Sequence, residues 1–315
     1  MSPGELRICE YNVENLFISL EYYDERDLDT VSEDEWKKFA LAQFQRRQKS
    51  LAKTRGVAKS ILDIDADILM LVEVGGEESL THFNRYFLND QYIPYFIPGN
   101  SRRSIDLAFL VKKDLPFQFA PRTNKEIAVE VETYTGKYTS KFSRDVAELR
   151  MSDGAELKLI LLLTHLKSKI SSDEDHKGTD VRTAEAKALA NLYRALRSEL
   201  PEVPIVIGGD FNAPLDSSEF DELNQTDVTD FYNVVQRPLD DRVTLVHFDY
   251  FGVAHPETLD YLLISPHLRG RVNDDQSYTY RYKGFYDIPN DLPHERKERY
   301  QMPSDHFPVV LTLRL

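Results

Sequence analysis

The chain has 315 residues, a formal net charge of −14, 41% hydrophobic and 11% aromatic residues, and a single cysteine, Cys9. That composition indicates a globular protein with a substantial core. It excludes an intrachain disulfide and a cysteine-built metal cage, and the acidic balance weighs against indiscriminate binding of polyanions.

The N-terminal stretch "MSPGELRICEYNV" lacks a basic start followed by an apolar core, so no secretory signal is read and a cytoplasmic placement is expected. The first strand signal is "LRICEYNV" (6–13), in which Cys9 reads as a buried packing residue. Residues 21–35, "EYYDERDLDTVSEDE", hold eight acidic residues and one basic, so half of the net charge lies in what reads as a loop or insertion. Residues 36–62 space Phe44, Leu51, Val57, Ala58 and Ile61 at helical period and predict one helix with a basic outer face. "DILMLVEV" (67–74) and "IDLAFLVKK" (105–113) follow as strands, and 121–142 reads as hairpins or long loops.

"KLILLLTHLK" (158–167) follows as a strand, and the longest apolar run, "LKLILLLTHL" at 157–166, is far too short and interrupted to cross a membrane. A second helix is predicted over 180–200, with Ala184, Ala188, Leu192 and Leu196 on its inner face and Asp180 as N-cap. "VPIVIGGD" (203–210), "TLDYLLIS" (258–265) and "HFPVVLTLRL" (306–315) complete the strands, while 271–300 is poor in pattern. "VHFDYFG" (246–252) offers aromatics for stacking but reads first as core packing. No repeat, low-complexity tract or Pro/Gly/Ser linker divides the chain, so a single domain over 1–315 is expected. Strands outnumber helices and several look buried on both faces. The expected fold is therefore a four-layer α-β-β-α sandwich, two packed mixed sheets flanked by helices.

Polar residues collect at the ends of these apolar runs: Asn12, Glu73, His165, Asp210, Asn212, Asp260, Asp305 and His306. Loops beside rigid strands are where such folds place chemistry. Taken singly, each reads as a strand-end charge, a turn or a satisfied buried histidine. Together they form a selective set of carboxylates, carboxamides and imidazoles, without a strained serine or a cysteine nucleophile. Oxygen donors without thiolates suit a hard divalent ion, Mg²⁺ or Mn²⁺ with Ca²⁺ as a further candidate. Imidazole beside carboxylate suits proton transfer. The set is what metal-assisted attack of water on a phosphate ester needs.

In "YNVENLF", "DADILMLVEV", "LLLTHLKS", "GGDFNAP", "TLDYLL" and the terminal "SDHFPV", in that order, the chain resembles the endonuclease/exonuclease/phosphatase superfamily with the DNase I-like fold. The resemblance covers nearly the whole chain, and "YNVENLF" is similar to bacterial members described as nucleases. It implies that Glu73 ligates the metal with Asn12 beside it, and that Asp305 serves the metal or phosphate region. Asp210 orients or deprotonates the attacking water, Asn212 bonds a phosphate oxygen, and His165 donates to the phosphoryl oxygen. Asp260 fixes the tautomer of His306, which stabilises the transition state or shuttles the proton. "KFSRDVAELRM" and "SRRSIDLAFLV" point to Arg144 and Arg103 as substrate contacts, against the plain alternative of surface arginines.

The expected activity is a divalent-metal-dependent phosphodiesterase, a nuclease acting on DNA before RNA. The alternative is a phosphatase or phosphodiesterase acting on a small or lipid-linked phosphate, which the acidic charge favours. A non-catalytic binding module would have lost some of these residues, and here all are present. Oligomeric state is not legible in the chain.

Overall fold

The computed structural model describes residues 4–169, 175–284 and 287–315. Strands β1 (Glu5–Leu16), β2 (Ile68–Val74), β3 (Tyr92–Ile97) and β4 (Asp106–Lys112) come first. Next are β5 (Gln118–Arg122), the hairpin β6 (Ala128–Thr133) and β7 (Gly136–Lys141), β8 (Val146–Asp153), β9 (Glu156–His165) and β10 (Ile205–Asp210). The C-terminal part supplies β11 (Thr229–Asp230) and a second hairpin, β12 (Leu245–Phe248) with β13 (Ala254–Glu257). It ends with β14 (Asp260–Ile264), β15 (Tyr278–Thr279) and β16 (Val309–Arg314).

Two six-stranded sheets result, in the orders β15-β16-β1-β2-β4-β3 and β11-β14-β10-β9-β8-β5. Each is mixed: β1 runs parallel to β2 and antiparallel to β16, and β10 runs parallel to β9 and antiparallel to β14. Strand alternation sorts the side chains into three cores. Leu6 and Ile8 of β1 face Leu161, Leu163, Val206 and Leu262 of the other sheet across the inter-sheet core. Cys9, Tyr11 and Val13 point the other way, beneath α1 (Glu33–Lys38), α2 (Leu51–Ile64) and α3 (Glu77–Phe87). Ile160, Leu162, Ile205 and Ile207 pack outward under α4 (Thr179–Glu199). The four-layer sandwich expected from the sequence is what forms.

Three local expectations need correction. The helix predicted over 36–62 is two helices, because the chain between them turns back. Lys49 N–H donates to the Phe17 carbonyl at 2.9 Å and the Lys49 carbonyl accepts from Trp36 Nε1 at 2.8 Å. Helix α2 then starts afresh at Leu51, with Ser50 as N-cap and Glu33 accepting from the Leu51 and Ala52 amides. Phe44 consequently lies on the surface rather than on an inner helix face.

Asp180 does not cap α4. The N-cap is Gly178, and the buried Asp175 carboxylate accepts from the Asp180 and Val181 amides instead. Finally, Tyr250 and Phe251 of "VHFDYFG" lie outside the core, at the exposed end of the β12–β13 hairpin.

The expected hairpin in 121–142 is β6–β7, the 21–35 segment is a loop running into one 3₁₀ turn and the start of α1, and Cys9 is buried. Within 271–300 the described residues form 3₁₀ turns, β15 and the short helix Arg296–Gln301, and the prediction for 285–286 lies outside the described residues. No helix among the described residues is long and apolar enough to cross a membrane.

Gly209 shows how tightly the centre is drawn. Its φ is +143°, and a Cβ there would lie 1.8 Å from the Thr164 carbonyl oxygen on β9. A backbone atom cannot swing aside, so Gly209→Ala must push β9 and β10 apart just before Asp210. The expected cost is about 3 kcal/mol, read as a fall of roughly 5 °C in the thermal midpoint.

Candidate active site

The register of the second sheet places three of the polar strand-end residues side by side. Asp210 at the end of β10 pairs with Asp260 on β14 and with His165 on β9. All three follow the parity of inward-facing neighbours, so they close the top of the inter-sheet core. From the facing sheet, Asn12 of β1 donates through Nδ2 to Asp210 Oδ2 at 3.0 Å.

Glu73 reaches the site differently. A register shift in β2 leaves it with φ +67°, a bulge that redirects its carboxylate. A second bulge in β1 bends Glu14 and Asn15 to φ +47° and +53°, and the Asn15 amide donates to Glu73 Oε2 at 3.0 Å. Lys49, nearly buried, donates to the Glu14 carbonyl at 2.9 Å and lies 3.6 Å from the Glu14 carboxylate. Burial lowers the Lys49 pKa to about 8, against the opposing pull of Glu14.

The two histidines have opposite environments. His165 Nε2 lies 3.6 Å from Asp210 Oδ2 and 4.0 Å from Glu73 Oε1. Burial, with Arg144 and His306 nearby, holds His165 well below the ordinary histidine range, so its ring is neutral. Burial alone would push His306 the same way. Asp260 overrides it, with Oδ2 2.8 Å from His306 Nδ1, and Asp210 and Asp305 add to the effect. The result is a pKa well above 6.5 and a charged ring at neutral pH.

Asp210 is raised to about 7, by burial first and then by the Asp260 charge. Burial also raises Glu73, with Asp305 adding to it. Asp305 is lowered overall, because His306 and Arg299 outweigh the burial that would lift it; Arg299 bonds its Oδ2 at 2.5 Å. Asn212, at φ +57°, donates from its amide to Asp210 Oδ1 at 2.8 Å and from Nδ2 to the Leu166 carbonyl at 3.0 Å.

The eight strand-end residues are therefore one constellation. Arg144 joins it, buried and held on the Leu166 carbonyl at 3.2 Å, so the plain alternative of a surface arginine does not apply. Arg103 remains exposed on the rim, donating to Asn15 Oδ1 at 2.9 Å.

Three contributors were not singled out from the sequence. Thr244 Oγ1 accepts from the Leu259 and Asp260 amides, and nothing in its sequence surroundings signals this. Lys49 reads in the sequence only as part of a basic helix face. Glu10, fully buried between the sheets, shares the inward parity of Leu6, Ile8 and Asn12, a signal that was available. Neither Glu10 oxygen nor Asp260 Oδ1 has a hydrogen-bond partner among the described residues. Burial, then the Asp260 and Asp210 charges, lifts the Glu10 pKa well above the carboxylate range.

Asp210, Asp260 and His306 bring one ligand atom each within 4.8 Å of one another, close enough to share an ion. Their hydrogen bonding argues against that exact trio, because Asp260 and His306 are already engaged with each other and the imidazolium carries positive charge. The donor chemistry fits a hard cation better one step away. Glu73 Oε1 accepts no hydrogen bond among the described residues, and it stands among the carboxylates of Asp210 and Asp305 whose repulsion a cation would offset.

A four-layer sandwich whose strand ends assemble this set of carboxylates, amides and imidazoles defines a hydrolytic phosphoesterase. Residues 11–306 match the profile of the Endonuclease/Exonuclease/phosphatase family, and the chain belongs to it. That family is generally dependent on a divalent metal. The fold is similar to truncated Caenorhabditis elegans TDP2, with 19% identity, 99% of this chain and 98% of that chain covered, and a TM-score of 0.59. It is similar to the human Nocturnin catalytic domain with bound sulfate, at 16% identity, 98% and 94% coverage and a TM-score of 0.59. D. rerio TDP2 in complex with a single-stranded DNA product aligns at 14% identity, 99% and 100% coverage and a TM-score of 0.61. No curated protein matches the chain.

The Asp260–His306 pair gives a directional test. Because the folded-state pKa of His306 is raised, the pair contributes its stability in full below about pH 6.5 and loses it as pH climbs through the raised value. Asp260→Asn removes the main raising influence and leaves burial dominant, so the His306 ring should titrate below its wild-type value. Proton NMR of the imidazole in metal-free protein reads this directly; an unchanged titration would contradict the pairing.

Proposed function

We propose that the protein is a divalent-metal-dependent phosphodiesterase that hydrolyses nucleic acid, DNA before RNA, with Mg²⁺ or Mn²⁺ as its ion and Ca²⁺ as a further candidate. One observation carries the reading. The Glu73–Asp210–His165–His306 constellation adjoins Arg144, and Arg144 lines a cleft of about 860 Å³ with Arg102, Arg103 and Lys167, and with Lys141 paired to Glu126. A cationic cleft beside a water-activating site suits a chain of phosphates better than a lone small phosphate. The complex of D. rerio TDP2 with a single-stranded DNA product supports a nucleic-acid substrate at the level of fold.

Glu73, with Asn12 and Asp305, would hold the ion, which when bound supplies Lewis-acid polarisation of the phosphoryl oxygen. Asp210, with its pKa near the working pH, takes the proton of the attacking water, and Asn212 orients a phosphate oxygen beside it. His306 is a poor candidate for that base, since Asp260 holds it protonated. Its Nε2–H instead offsets charge growing on the phosphoryl oxygens, together with the Arg144 guanidinium, and gives its proton to the leaving oxygen as the ester bond breaks. His165, kept neutral, donates from Nε2 to the phosphoryl oxygen. Arg103 and Arg144 bind the substrate backbone.

The net charge of −14 favours a second reading, a phosphatase or phosphodiesterase for a small or lipid-linked phosphate. The two differ in salt dependence, since a nuclease making several phosphate contacts loses affinity steeply as salt rises.

Purified protein should cleave plasmid, linear or single-stranded DNA in the presence of Mg²⁺ or Mn²⁺ and lose that activity in EDTA. Cleavage of none of these at any divalent ion would defeat the nuclease reading. Asp210→Asn should slow turnover by about 10² or more. Glu73→Gln should instead raise the metal concentration needed for half-maximal activity, and an unchanged metal titration would contradict its assignment as ligand.

A further inference from the structure

The β12–β13 hairpin is fastened to the catalytic strand ends at its base. Leu245 forms an isolated antiparallel bridge with His306, and the Phe307 amide donates to the Thr244 carbonyl at 2.7 Å. Thr244 Oγ1 meanwhile accepts from the Asp260 amide at 3.1 Å. At about 3.4 Å per residue, the far end of the hairpin stands roughly 15 Å from His306.

That end carries Tyr250 and Phe251, 91% and 86% exposed, the two most exposed large hydrophobic side chains among the described residues. The turn beneath them is well tied down. Asp249 Oδ1 accepts from the Phe251 and Val253 amides at 2.9 Å each, and the Asp249 amide donates to the Val253 carbonyl at 3.1 Å. Gly252 supplies the φ of +83° that the turn needs, and Arg296 donates to the Asp249 carbonyl. The two rings lie 5.5 Å apart at 84°, edge to face, so neither covers the outer face of the other.

Two cations beside this hairpin are engaged locally. Lys169 Nζ lies 2.9 Å from Glu257, and Arg296 is spent on the turn backbone. In a chain of net charge −14, a polyanion that leaves the Arg144 cleft therefore gains little from charge along this edge. What the edge offers is open ring faces. Stacking of a base on an aromatic face is favourable, tolerant of sequence and independent of charge. In a duplex both faces of a base are already covered, so the ligand such rings accept is an unpaired base.

We propose that Tyr250 and Phe251 form a stacking platform for unpaired bases of the strand whose phosphodiester enters the site, which makes single-stranded nucleic acid, or a single-stranded end, the substrate class. This rests on the nuclease reading above. A membrane-inserting tip is the competing use of two exposed aromatics. Such tips are flanked by free Lys and Arg that meet anionic headgroups, whereas Asp249 flanks this one and the adjoining Arg296 is bonded to the turn backbone.

The test compares wild type with the Tyr250→Ala/Phe251→Ala double variant and with Tyr250→Phe/Phe251→Tyr, which keeps the rings. The substrates are a single-stranded oligonucleotide, its duplex and bis(p-nitrophenyl) phosphate, all at saturating Mn²⁺. The alanine variant should raise KM for the single strand by about tenfold or more, with kcat and the small-diester rate unchanged and the salt slope preserved. The ring-retaining variant should behave as wild type. An unchanged single-strand KM overturns the platform, as does an equal loss on the small diester. A tip that binds phosphatidylserine vesicles through the same two rings while the oligonucleotide KM stays fixed overturns it in favour of a membrane role. If wild type hydrolyses the small diester but no nucleic acid, the nuclease reading falls and the platform with it. If it cuts nucleic acid and the alanine variant is unimpaired, only the platform falls.

Discussion

The register of three neighbouring strands governs this structure: Asp210 of β10 sits level with Asp260 of β14 on one side and His165 of β9 on the other. Adjacent strands lie about 4.8 Å apart, so register alone concentrates two buried carboxylates and a buried imidazole. The repulsion this creates is partly met by His306, which binds Asp260, and by Asn12, which binds Asp210 from the facing sheet. Burial first, and then the repulsion that remains, lifts Asp210 to about 7 and raises Glu10 below it. The glycine pair before Asp210 serves the same constraint. Gly208 leaves room for Leu262 and Met70, and Gly209 lets β9 approach.

The facing sheet solves a different problem. A regular β2 strand would alternate Glu73 away from the inter-sheet side that Val72 occupies, and the bulge at 73 redirects it. The second bulge, in β1, then offers the Asn15 amide to that carboxylate, and Lys49 ties down the same turn through the Glu14 carbonyl. Two irregular turns with non-glycine residues at positive φ thus face three regular strand ends. The regular half fixes Asp210, Asp260 and His165 side by side, and the bent half presents the Glu73 carboxylate to them.

Much of this is legible in the sequence for a physical reason. Apolar alternation sets which residues face which layer, and a polar residue ending such a run is conspicuous, which is how Asn12, His165, Asp210 and Asp260 stand out. Glu10 obeys the same parity and was readable, but it lies inside a run whose ends draw the eye. The break in the 36–62 helix was not readable from periodicity, because it depends on Phe17 and Trp36 binding the backbone at Lys49, both remote in the helical pattern. The same holds for α4, where Asp175 reaches forward five residues to do what an adjacent Asp180 was expected to do. Tyr250 and Phe251 illustrate the converse: a short aromatic run has core-like composition, and only the hairpin's position shows that nothing among the described residues packs over it.

The acidic charge of the chain loses much of its force as an objection to a phosphate substrate once its location is known. The 21–35 segment, with half of the net charge, lies over the helices of the first sheet rather than in the cleft. There Tyr23 packs edge-on against Phe39 and Tyr86, and Arg26 binds Asp24 and Glu35. Beyond about 8 to 10 Å such exposed charges are largely screened at physiological salt. The field a phosphate meets on entering is set by Arg103, Arg144, Lys167 and the His306 imidazolium, against the carboxylates that a divalent ion would neutralise. Net charge then bears on encounter at a distance, and the local arrangement bears on capture. A protein built this way should favour short contacts with a few phosphates and a contribution from ring stacking over a long electrostatic track.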